Sequence, residues 1–267
     1  MDPFTLVPAK GNPVPVVLSV PHCGVAFPPE VAAQLKPSCV EDPEDTDWFV
    51  HQLYDFAPQL GVTMIRARYS RYVIDLNRNP DMKPLYQDGR KETALVPETN
   101  FNGELLYIDA RPNRAEIGRR RELYYDPYHQ KLQSIVADLK KEFRAVLVYD
   151  AHSIRRFIPT IRPEPFPDLI LGDGSGTTAD IRLRDAALKA LAPHKAFQVS
   201  VNDPFQGGYL TRRFGQPKTG IHALQLEMSQ DIYLDEHGGM DRVKTKRLKE
   251  ALKPTLEALI AAVGTLR

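Results

Sequence analysis

Two histidines in this chain follow strand-like runs, and each stands where a metal ligand would reach a shared crevice. His22 comes just after the apolar run Val14–Val20, and His152 follows the run Phe143–Val148. In an open α/β sheet the carboxyl ends of the strands converge on one crevice, so side chains at those positions come together. A catalytic zinc ion takes three protein ligands of the His/His/carboxylate kind and leaves a fourth position to water. The two histidines therefore predict a metal site that needs one carboxylate.

The acidic segment Glu41–Asp47 offers this carboxylate, since five of its seven residues are acids. Asp45 and Asp47 are the two candidates. Asp150 stands two residues before His152, so on a strand it would point the same way and serve as the partner of a ring N–H. The alternative is structural: the histidines would be satisfied core residues, and the acids would be a solvated helix start.

Glu227 is the candidate general base. It ends the apolar run Ala223–Glu227, and burial raises the pKa of a carboxyl towards neutrality, as a base that deprotonates a metal-bound water requires. An ion pair with one of the many arginines is the alternative for Glu227. Cys23 beside His22 suggests a rival thiol nucleophile, but neighbouring residues of an extended chain point to opposite faces and share a proton poorly.

The segment Arg66–Arg78 concentrates four arginines around a short apolar run at 73–76, which predicts a buried strand or its end. Cations beside an apolar strand need carboxylate partners, either within the fold or on a ligand. Asn77 and Arg78 offer an amide and a rigid guanidinium fork side by side, which matches a carboxylate. An internal ion pair between Asp75 and an arginine, which would only orient a turn, is the alternative.

The composition is that of an ordinary globular protein and excludes several classes of function. The chain has 267 residues, 42% hydrophobic and 26% charged, with a formal net charge of +1. A charge so near zero gives no electrostatic basis for binding nucleic acid or a membrane surface. No apolar run approaches the length of a membrane span, residues 1–15 lack the pattern of a secretory signal, and two cysteines are too few for a disulfide framework. We therefore expect a cytoplasmic protein whose anion binding is local.

Strands and helices alternate along the chain, which predicts one three-layer α/β/α domain over residues 1–267 with a mixed, largely parallel sheet. The predicted strands are Val14–Val20, Val62–Ile65, 73–76, Phe143–Val148, Leu169–Gly172, Phe197–Val201 and Ala223–Glu227. The predicted helices are Pro28–Leu35, Trp48–Gln59, Asn113–Leu139 (interrupted near Pro127), Thr178–Leu191 and Arg242–Val263. Two long loops remain, Asn79–Asn102 and Asn202–Gly220, and the first is long enough to suggest a lid or a binding segment.

Six short motifs, in order along roughly residues 14 to 235, give the chain a family resemblance. They are Ser19–Gly24 (SVPHCG), Asp45–Asp47 (DTD), Ser70–Arg78 (SRYVIDLNR), Asp150–Ser153 (DAHS), Asn202–Tyr209 (NDPFQGGY) and Leu226–Ser229 (LEMS). Together they resemble the N-formylglutamate deformylase (N-formylglutamate amidohydrolase) family. This resemblance implies hydrolysis of N-formyl-L-glutamate to formate and L-glutamate, the last step of one histidine-degradation route. It also implies a phosphorylase/hydrolase-like fold, distantly similar to zinc carboxypeptidases and aspartoacylase.

The resemblance carries a metal site over to His22, Asp47 and His152, with one divalent ion, zinc above all. One departure matters. The distant relatives use His-x-x-Glu, whereas Val25 occupies the third place after His22. The carboxylate must come from elsewhere, so Asp47 is the predicted ligand and Asp45 the reserve.

The resemblance also implies the rest of a hydrolytic site. Glu227 would move the proton, and Arg71 would help the metal to stabilise the tetrahedral oxyanion.

Two carboxylate anchors would explain a small dicarboxylate as the substrate. Asn77 with Arg78 would hold one carboxylate. Arg212 or Arg213 in the Gly-rich loop would hold the other, and Tyr209 of the same loop would also bind the substrate. Two other functions stay open: a zinc-dependent hydrolase of another N-acyl amino acid or small peptide, and a non-enzymatic binder of dicarboxylates.

Overall fold

A seven-stranded sheet forms the middle layer of the computed structural model, which describes residues 2–85 and 92–266. Its strands are β1 (Phe4–Val7), β2 (Val16–Val20), β3 (Thr63–Ala67), β4 (Val146–Ile154), β5 (Leu169–Gly172), β6 (Val199–Val201) and β7 (Ile221–Ser229). Their order across the sheet is β1-β3-β2-β4-β7-β5-β6. The four central strands β3, β2, β4 and β7 run parallel, β1 pairs antiparallel with β3, and β5 pairs antiparallel with β7 and parallel with β6. The predicted mixed, largely parallel sheet is confirmed.

Helices cover both faces of this sheet. They are α1 (Pro29–Ala32), α2 (Pro37–Glu41), α3 (Val50–Leu53), α4 (Arg114–Arg120), α5 (Asp126–Glu142), α6 (Ile181–Leu191), α7 (Tyr209–Phe214) and α8 (Arg242–Gly264). Three 3-10 turns occupy Ala57–Leu60, Pro217–Thr219 and Gln230–Ile232, and a π-helical turn, Arg121–Tyr125, joins α4 to α5. The predicted interruption lies at this π turn, because Pro127 has no N–H to continue the regular hydrogen-bond ladder.

Alternation along the central strands builds two separate cores. Leu18, Tyr149 and Leu226 point to the face covered by α3, α6 and α8. Val17, Val148 and Ala223 point to the other face, which is covered by α1, α5 and α7. Successive strand residues alternate between faces, so each strand serves both cores. The three-layer α/β/α architecture is confirmed.

The second face changes character towards the carboxyl ends of the parallel strands. Where Val17, Val148 and Ala223 are apolar, the next positions on the same face are polar and buried: Ser19, Asp150, His152, Gln225 and Glu227. Buried polar groups need partners. Because parallel strands end at the same edge, these groups find their partners in one another, and this edge holds the candidate site.

The predicted helix Trp48–Gln59 is shorter than expected. Phe49 takes a left-handed conformation (φ 57°), and only Val50–Leu53 is α-helical before the 3-10 turn Ala57–Leu60. Gly61 ends this turn in a left-handed conformation (φ 80°), as expected for the residue after a helical segment.

The strand predicted at 73–76 is wrong. Val73 and Ile74 are buried in the second core, but the backbone here forms turns. The Asp75 carboxylate accepts a hydrogen bond from the backbone N–H of Asn77 (2.8 Å), and the N–H of Asp75 donates to Leu95 O (2.8 Å). Local side-chain bonds of this kind compete with a strand ladder, so an apolar run at 73–76 did not suffice to make a strand.

The two predicted loops differ in outcome. The segment Asn202–Gly220 contains α7 and a 3-10 turn, so its Gly-rich motif leads into a helix. Of the segment Asn79–Asn102, residues 86–91 lie outside the described residues, so its predicted role as a lid stays a prediction. Among residues 2–85 and 92–266, no helix combines the length and the apolarity needed to cross a membrane.

Candidate metal and active site

Three predicted ligands come together at the carboxyl edge of the sheet. The Nδ1 atoms of His22 and His152 lie 3.7 and 2.9 Å from Oδ2 of Asp47. One potential ligand atom from each residue lies within 4.8 Å of the other two, and all three residues are buried. A tetrahedral zinc ion with bonds of about 2.0–2.2 Å separates its ligands by roughly 3.3 Å. The spacing therefore suits such an ion after small adjustments.

Each histidine presents its second ring nitrogen to another buried carboxylate. Nε2 of His22 lies 2.7 Å from Oδ1 of Asp75, and Nε2 of His152 lies 3.0 Å from Oδ2 of Asp150. A carboxylate on Nε2 keeps the proton there and leaves Nδ1 free as a lone-pair donor, the usual arrangement behind a metal-bound histidine. Asp75 thus has the geometry of such a partner, a role that the sequence had suggested only towards an arginine. The predicted role of Asp150 stays a prediction, because among the described residues its Oδ2 accepts no hydrogen bond, and Nε2 of His152 also faces the amide nitrogen of Asn77 (3.1 Å).

The segment that carries Asp47 is tied to the sheet from both sides. The N–H groups of Asp47 and Ser153 donate to His22 O and to the Asp47 carboxylate, both at 3.1 Å. Gln230 donates to Thr46 O and the Tyr233 hydroxyl to Trp48 O, both at 2.8 Å. Contacts on either side of Asp47 therefore fix its backbone, so that its carboxylate meets both histidines.

The charge balance of this cluster calls for a cation. Burial works against ionisation, yet the hydrogen bond from His152 and the nearby ring of His22 hold the pKa of Asp47 below its ordinary value, and Arg71 with His22 does the same for Asp75. Burial also opposes a charged His152, but Asp150 and Asp47 raise its pKa well above the ordinary value. The carboxylates thus favour positive charge at the ring nitrogens, and either a proton or a metal ion supplies it. The donor set fits a divalent ion.

Glu227 stands next to this cluster. His152 and Glu227 are register partners on β4 and β7, so their side chains share one face of the sheet. Burial raises the pKa of Glu227 to about 8. Oε2 of Glu227 accepts a hydrogen bond from Gln225 (3.2 Å), whose own Oε1 accepts from the N–H of Gly208 (2.7 Å). This chain of bonds orients a carboxyl whose pKa lies in the range that proton transfer near neutral pH requires.

Arg71 is buried beside the same carboxylates. Its Nη2 donates to Oδ2 of Asp75 (2.6 Å), and its Nη1 lies 4.0 Å from Oδ1 of Asp47. Burial opposes the charge, but Asp75, Asp47 and Asp45 raise the pKa of Arg71 above its ordinary value. The ion pair weighed as an alternative is therefore present, and it aims the guanidinium at the ligand cluster.

Asn77 and Arg78 both line the cavity in front of the cluster. Oδ1 of Asn77 accepts from the N–H of Leu210 (2.7 Å), which turns its amide nitrogen towards Nε2 of His152 (3.1 Å). A Cβ at position 208 would lie 2.2 Å from this amide nitrogen, so the approach needs Gly208. The Nε of Arg78 donates to Thr93 O (3.0 Å), and Nη1 donates to Asn77 O (3.2 Å).

Three other predicted anchors are not among the described residues that line this cavity. Arg213 points to α5, where its Nη1 lies 3.2 Å from Nδ1 of His129. The Nε of Arg212 donates to Gly207 O (3.0 Å), and the ring of Tyr209 lies 6.0 Å from that of His129. The structure does not bring these side chains to the candidate metal ligands, and their role in substrate binding stays a prediction.

The cavity has a volume of about 380 Å³ and opens from the ligand cluster towards solvent. Its polar floor holds His22, Asp47, His152 and Glu227. Its walls carry apolar side chains as well: Leu85, Phe101, Ile154, Ile161 and Phe205. A concave site with a few convergent polar groups of perturbed pKa is the usual form of an enzyme active site.

Comparison with known proteins identifies the family of this chain. The sequence model of the N-formylglutamate amidohydrolase family matches residues 14–234. The chain belongs to this family. It is 40% identical over 231 residues to N-formylglutamate deformylase of Pseudomonas aeruginosa, covering 85% of each chain. It is 39% identical over 224 residues to the protein of the same name from Pseudomonas putida, covering 84% of this chain and 83% of the other. The crystal structure of N-formylglutamate amidohydrolase from Ralstonia eutropha JMP134 superposes with a TM-score of 0.81 at 28% identity, over 98% of each chain.

In this member of the N-formylglutamate amidohydrolase family, the two alternative site residues, Cys23 and Asp45, are not part of the cluster of His22, Asp47 and His152. Burial raises the pKa of the Cys23 thiol to about 12, so it is a poor nucleophile. Asp45 directs its carboxylate to the N–H of Phe101 (2.9 Å) and towards Arg155 (3.4 Å). The cluster that forms with the histidines contains Asp47, as predicted, and not the reserve Asp45.

Sequence reasoning missed several residues of the site in this family member. Gln225 has a signal: in Ala223–Glu227 apolar and polar residues alternate, so Gln225 and Glu227 share a face. Ser153, Gln230 and Tyr233 have no comparable signal, because their contacts to the Asp47 segment join parts of the chain distant in sequence.

Proposed function

We propose that this protein hydrolyses N-formyl-L-glutamate to formate and L-glutamate with one divalent metal ion, zinc, held by His22, Asp47 and His152. The observation that carries the proposal is the convergence of these ligands with Glu227 in one cavity. The names of the relatives at 40% and 39% identity support the choice of substrate. With this activity the protein would complete a histidine-degradation route in the cytoplasm.

The metal-binding residues are prepared by their partners. Asp75 would keep the ring proton of His22 on Nε2, so that its Nδ1 is the lone-pair donor beside Asp47. Nδ1 of His152 also faces Asp47, and it would bind the metal in place of its present hydrogen bond to that carboxylate. When bound, a zinc ion at such ligands lowers the pKa of its water towards about 7 and polarises a carbonyl group.

Glu227 carries the proton through the reaction. It removes one proton from the water that attacks the formyl carbon. When the carbon–nitrogen bond breaks, it gives this proton to the departing amine of glutamate. Gln225 holds the Glu227 carboxyl in place, and burial keeps its pKa high enough for the proton to be taken and released again.

Arg71 stabilises the oxyanion that forms on the attacked carbonyl. Asp75 fixes its guanidinium, and the site is buried, so the donor is preorganised and little screened by water. Removal of one such donor costs about 10²–10³-fold in kcat in comparable sites.

Arg78, with the amide of Asn77, is the best-placed anchor for a substrate carboxylate. Both line the cavity, and the Arg78 side chain is 18% exposed there. The proposal that Arg212 or Arg213 binds the second carboxylate requires a rearrangement, because Arg213 now faces His129 and Gln133 on α5.

The apolar cavity walls favour a second candidate, hydrolysis of another N-acyl amino acid or a small peptide. The test is product release from N-formyl derivatives of L-glutamate, L-aspartate, L-glutamine and L-leucine, with Glu227→Gln as the inactive control. We expect the highest kcat/KM for N-formyl-L-glutamate. A higher value for N-formyl-L-leucine would replace the proposed substrate, and binding of L-glutamate without any turnover would favour a non-enzymatic dicarboxylate binder.

A further inference from the structure

Phe101 stands at the tip of a tight hairpin that borders the cavity. The hairpin is closed by backbone bonds between Glu98 and Leu106 and between Asn100 and Glu104, all at 3.0 Å. Asn100 Oδ1 also accepts from the N–H of Glu104 (2.9 Å). The tip is therefore a defined structure that presents one large apolar side chain.

Both backbone polar groups of Phe101 are held by side chains from other parts of the fold. Its N–H donates to Oδ2 of Asp45 (2.9 Å), and its carbonyl accepts from the Thr160 hydroxyl. Asp45 is itself held by Nη2 of Arg155 at 3.4 Å. Anchors from two separate parts of the chain thus fix the backbone of this one residue.

The ring of Phe101 lies against Arg71, and its centroid is 4.7 Å from the guanidinium carbon. It also packs against the apolar cluster formed by Ile154, Ile158, Phe166 and Ile170. Because Nη1 of Arg71 lies 4.0 Å from Oδ1 of Asp47, the ring, the guanidinium and the metal ligands form one continuous wall.

We propose that Phe101 determines acyl specificity: held by Asp45 and Thr160, it limits the group on the scissile carbonyl to formyl. This inference rests on the proposed function, which places the carbonyl oxygen at Arg71. A substituent on the carbonyl carbon lies beside that oxygen and therefore close to the ring. A hydrogen fits there, whereas a methyl or ethyl group presses on a ring that rests on Arg71 and on the apolar cluster.

The experiment measures L-glutamate release from N-formyl-, N-acetyl- and N-propionyl-L-glutamate by the metal-loaded protein. We expect the wild type to prefer formyl over acetyl by at least the roughly 10–200-fold that one methylene commonly makes. Phe101→Ala should lower this ratio at least tenfold by raising kcat/KM for the acetyl substrate. Phe101→Leu should lie between the two.

Two further variants separate a fixed wall from a general loosening of the cavity. Asp45→Ala should lower the formyl-to-acetyl ratio without loss of metal. The double variant, Asp45→Ala with Phe101→Ala, should change this ratio no more than Phe101→Ala alone. Phe205→Ala is the matched control, because Phe205 also lines the cavity and its ring centroid lies 5.3 Å from that of Phe166. It should leave the formyl-to-acetyl ratio unchanged.

If Phe101→Ala has full metal content and measurable formyl hydrolysis but an unchanged formyl-to-acetyl ratio, the inference about Phe101 is wrong. The proposed function would not be affected by that result. An equal change in Phe205→Ala would also overturn the inference. Metal loss in Asp45→Ala would make Asp45 a ligand and remove the proposed anchor. A metal-loaded wild type that hydrolyses none of the three substrates would overturn the proposed function first, and the inference with it.

Discussion

His152 and Glu227 lie side by side on the adjacent parallel strands β4 and β7, as register partners whose side chains leave the same face of the sheet. The residue that would hold the metal and the residue that would move the proton are therefore spaced by the sheet itself. A site on strands holds its geometry more accurately than one on loops. The remaining ligands, His22 and Asp47, join this pair from the segments that follow β2 and precede α3.

The metal site gives the first prediction. Replacement of His22, His152 or Asp47 by Ala should abolish stoichiometric zinc binding, because each removes one of three ligands. Asp45→Ala is the matched control: it deletes an acid from the same segment and should keep one zinc per chain. Elemental analysis after dialysis gives the metal content. Full zinc in both histidine variants would refute the assignment.

Glu227→Gln tests the proposed base. Glutamine keeps the shape of the side chain and its contact with Gln225 but cannot take a proton. We expect kcat to fall by about 10²–10⁴-fold, with zinc content and substrate binding retained. Steady-state kinetics with isothermal titration of N-formyl-L-glutamate measures both quantities. A variant that kept most of its turnover would exclude Glu227 as the base.

The raised pKa of Glu227 predicts a pH dependence of stability in the metal-free protein. Burial raises this pKa from 4.5 to about 8, so the folded state binds the proton more tightly than the unfolded state. The protonated carboxyl therefore stabilises the fold fully below pH 4.5, and this contribution is lost as pH rises towards 8. At about 1.4 kcal/mol per pKa unit, the loss amounts to a few kcal/mol.

Urea unfolding of the chelated wild type and of Glu227→Gln at pH 5 and pH 8 isolates this effect. His152 also has a raised pKa, so its contribution to the free energy of unfolding also falls as pH rises, but it does so in both proteins. The wild type should lose more free energy of unfolding than the variant between the two pH values. Zinc should reduce the difference, because a cation favours the ionised carboxyl. Equal losses in both proteins would mean that Glu227 is not held protonated by burial.

Arg78→Lys tests the carboxylate anchor. Lysine keeps the charge but loses the planar fork, so the ground state and the transition state should lose the same contact. We expect a KM raised roughly tenfold with kcat little changed. Arg213→Lys, measured in parallel, shows whether Arg213 leaves α5 to bind the second carboxylate, since only then does its KM rise as well. An unaltered KM in Arg78→Lys would return Arg78 to a purely structural role.

The architecture was largely readable from the sequence because it depends on local patterns. Runs such as Val14–Val20 and Ala223–Glu227 marked central strands, and Arg242–Val263 marked the last helix almost to its ends. The convergence of His22 and His152 followed from one topological rule, that parallel strands end at the same edge. The choice of Asp47 over Asp45 came from the family resemblance, and the geometry agrees with it.

What failed depended on contacts between distant parts of the chain. The apolar run at 73–76 had the composition of a strand, but Asp75 used its carboxylate for a turn and for His22 and Arg71. The role of Asp45 was equally invisible, because its partners Phe101 and Arg155 lie 56 and 110 residues away along the chain. Periodicity carries no information on such pairings.

The most direct test of a catalytic metal is formate release from N-formyl-L-glutamate before and after metal removal. The protein is treated with a chelator, freed of it by gel filtration, checked for metal content and titrated with zinc. The metal-free protein should release no formate, and activity should return linearly up to one zinc per chain. Full activity in protein shown to be metal-free would contradict the assignment of His22, Asp47 and His152 to a catalytic metal.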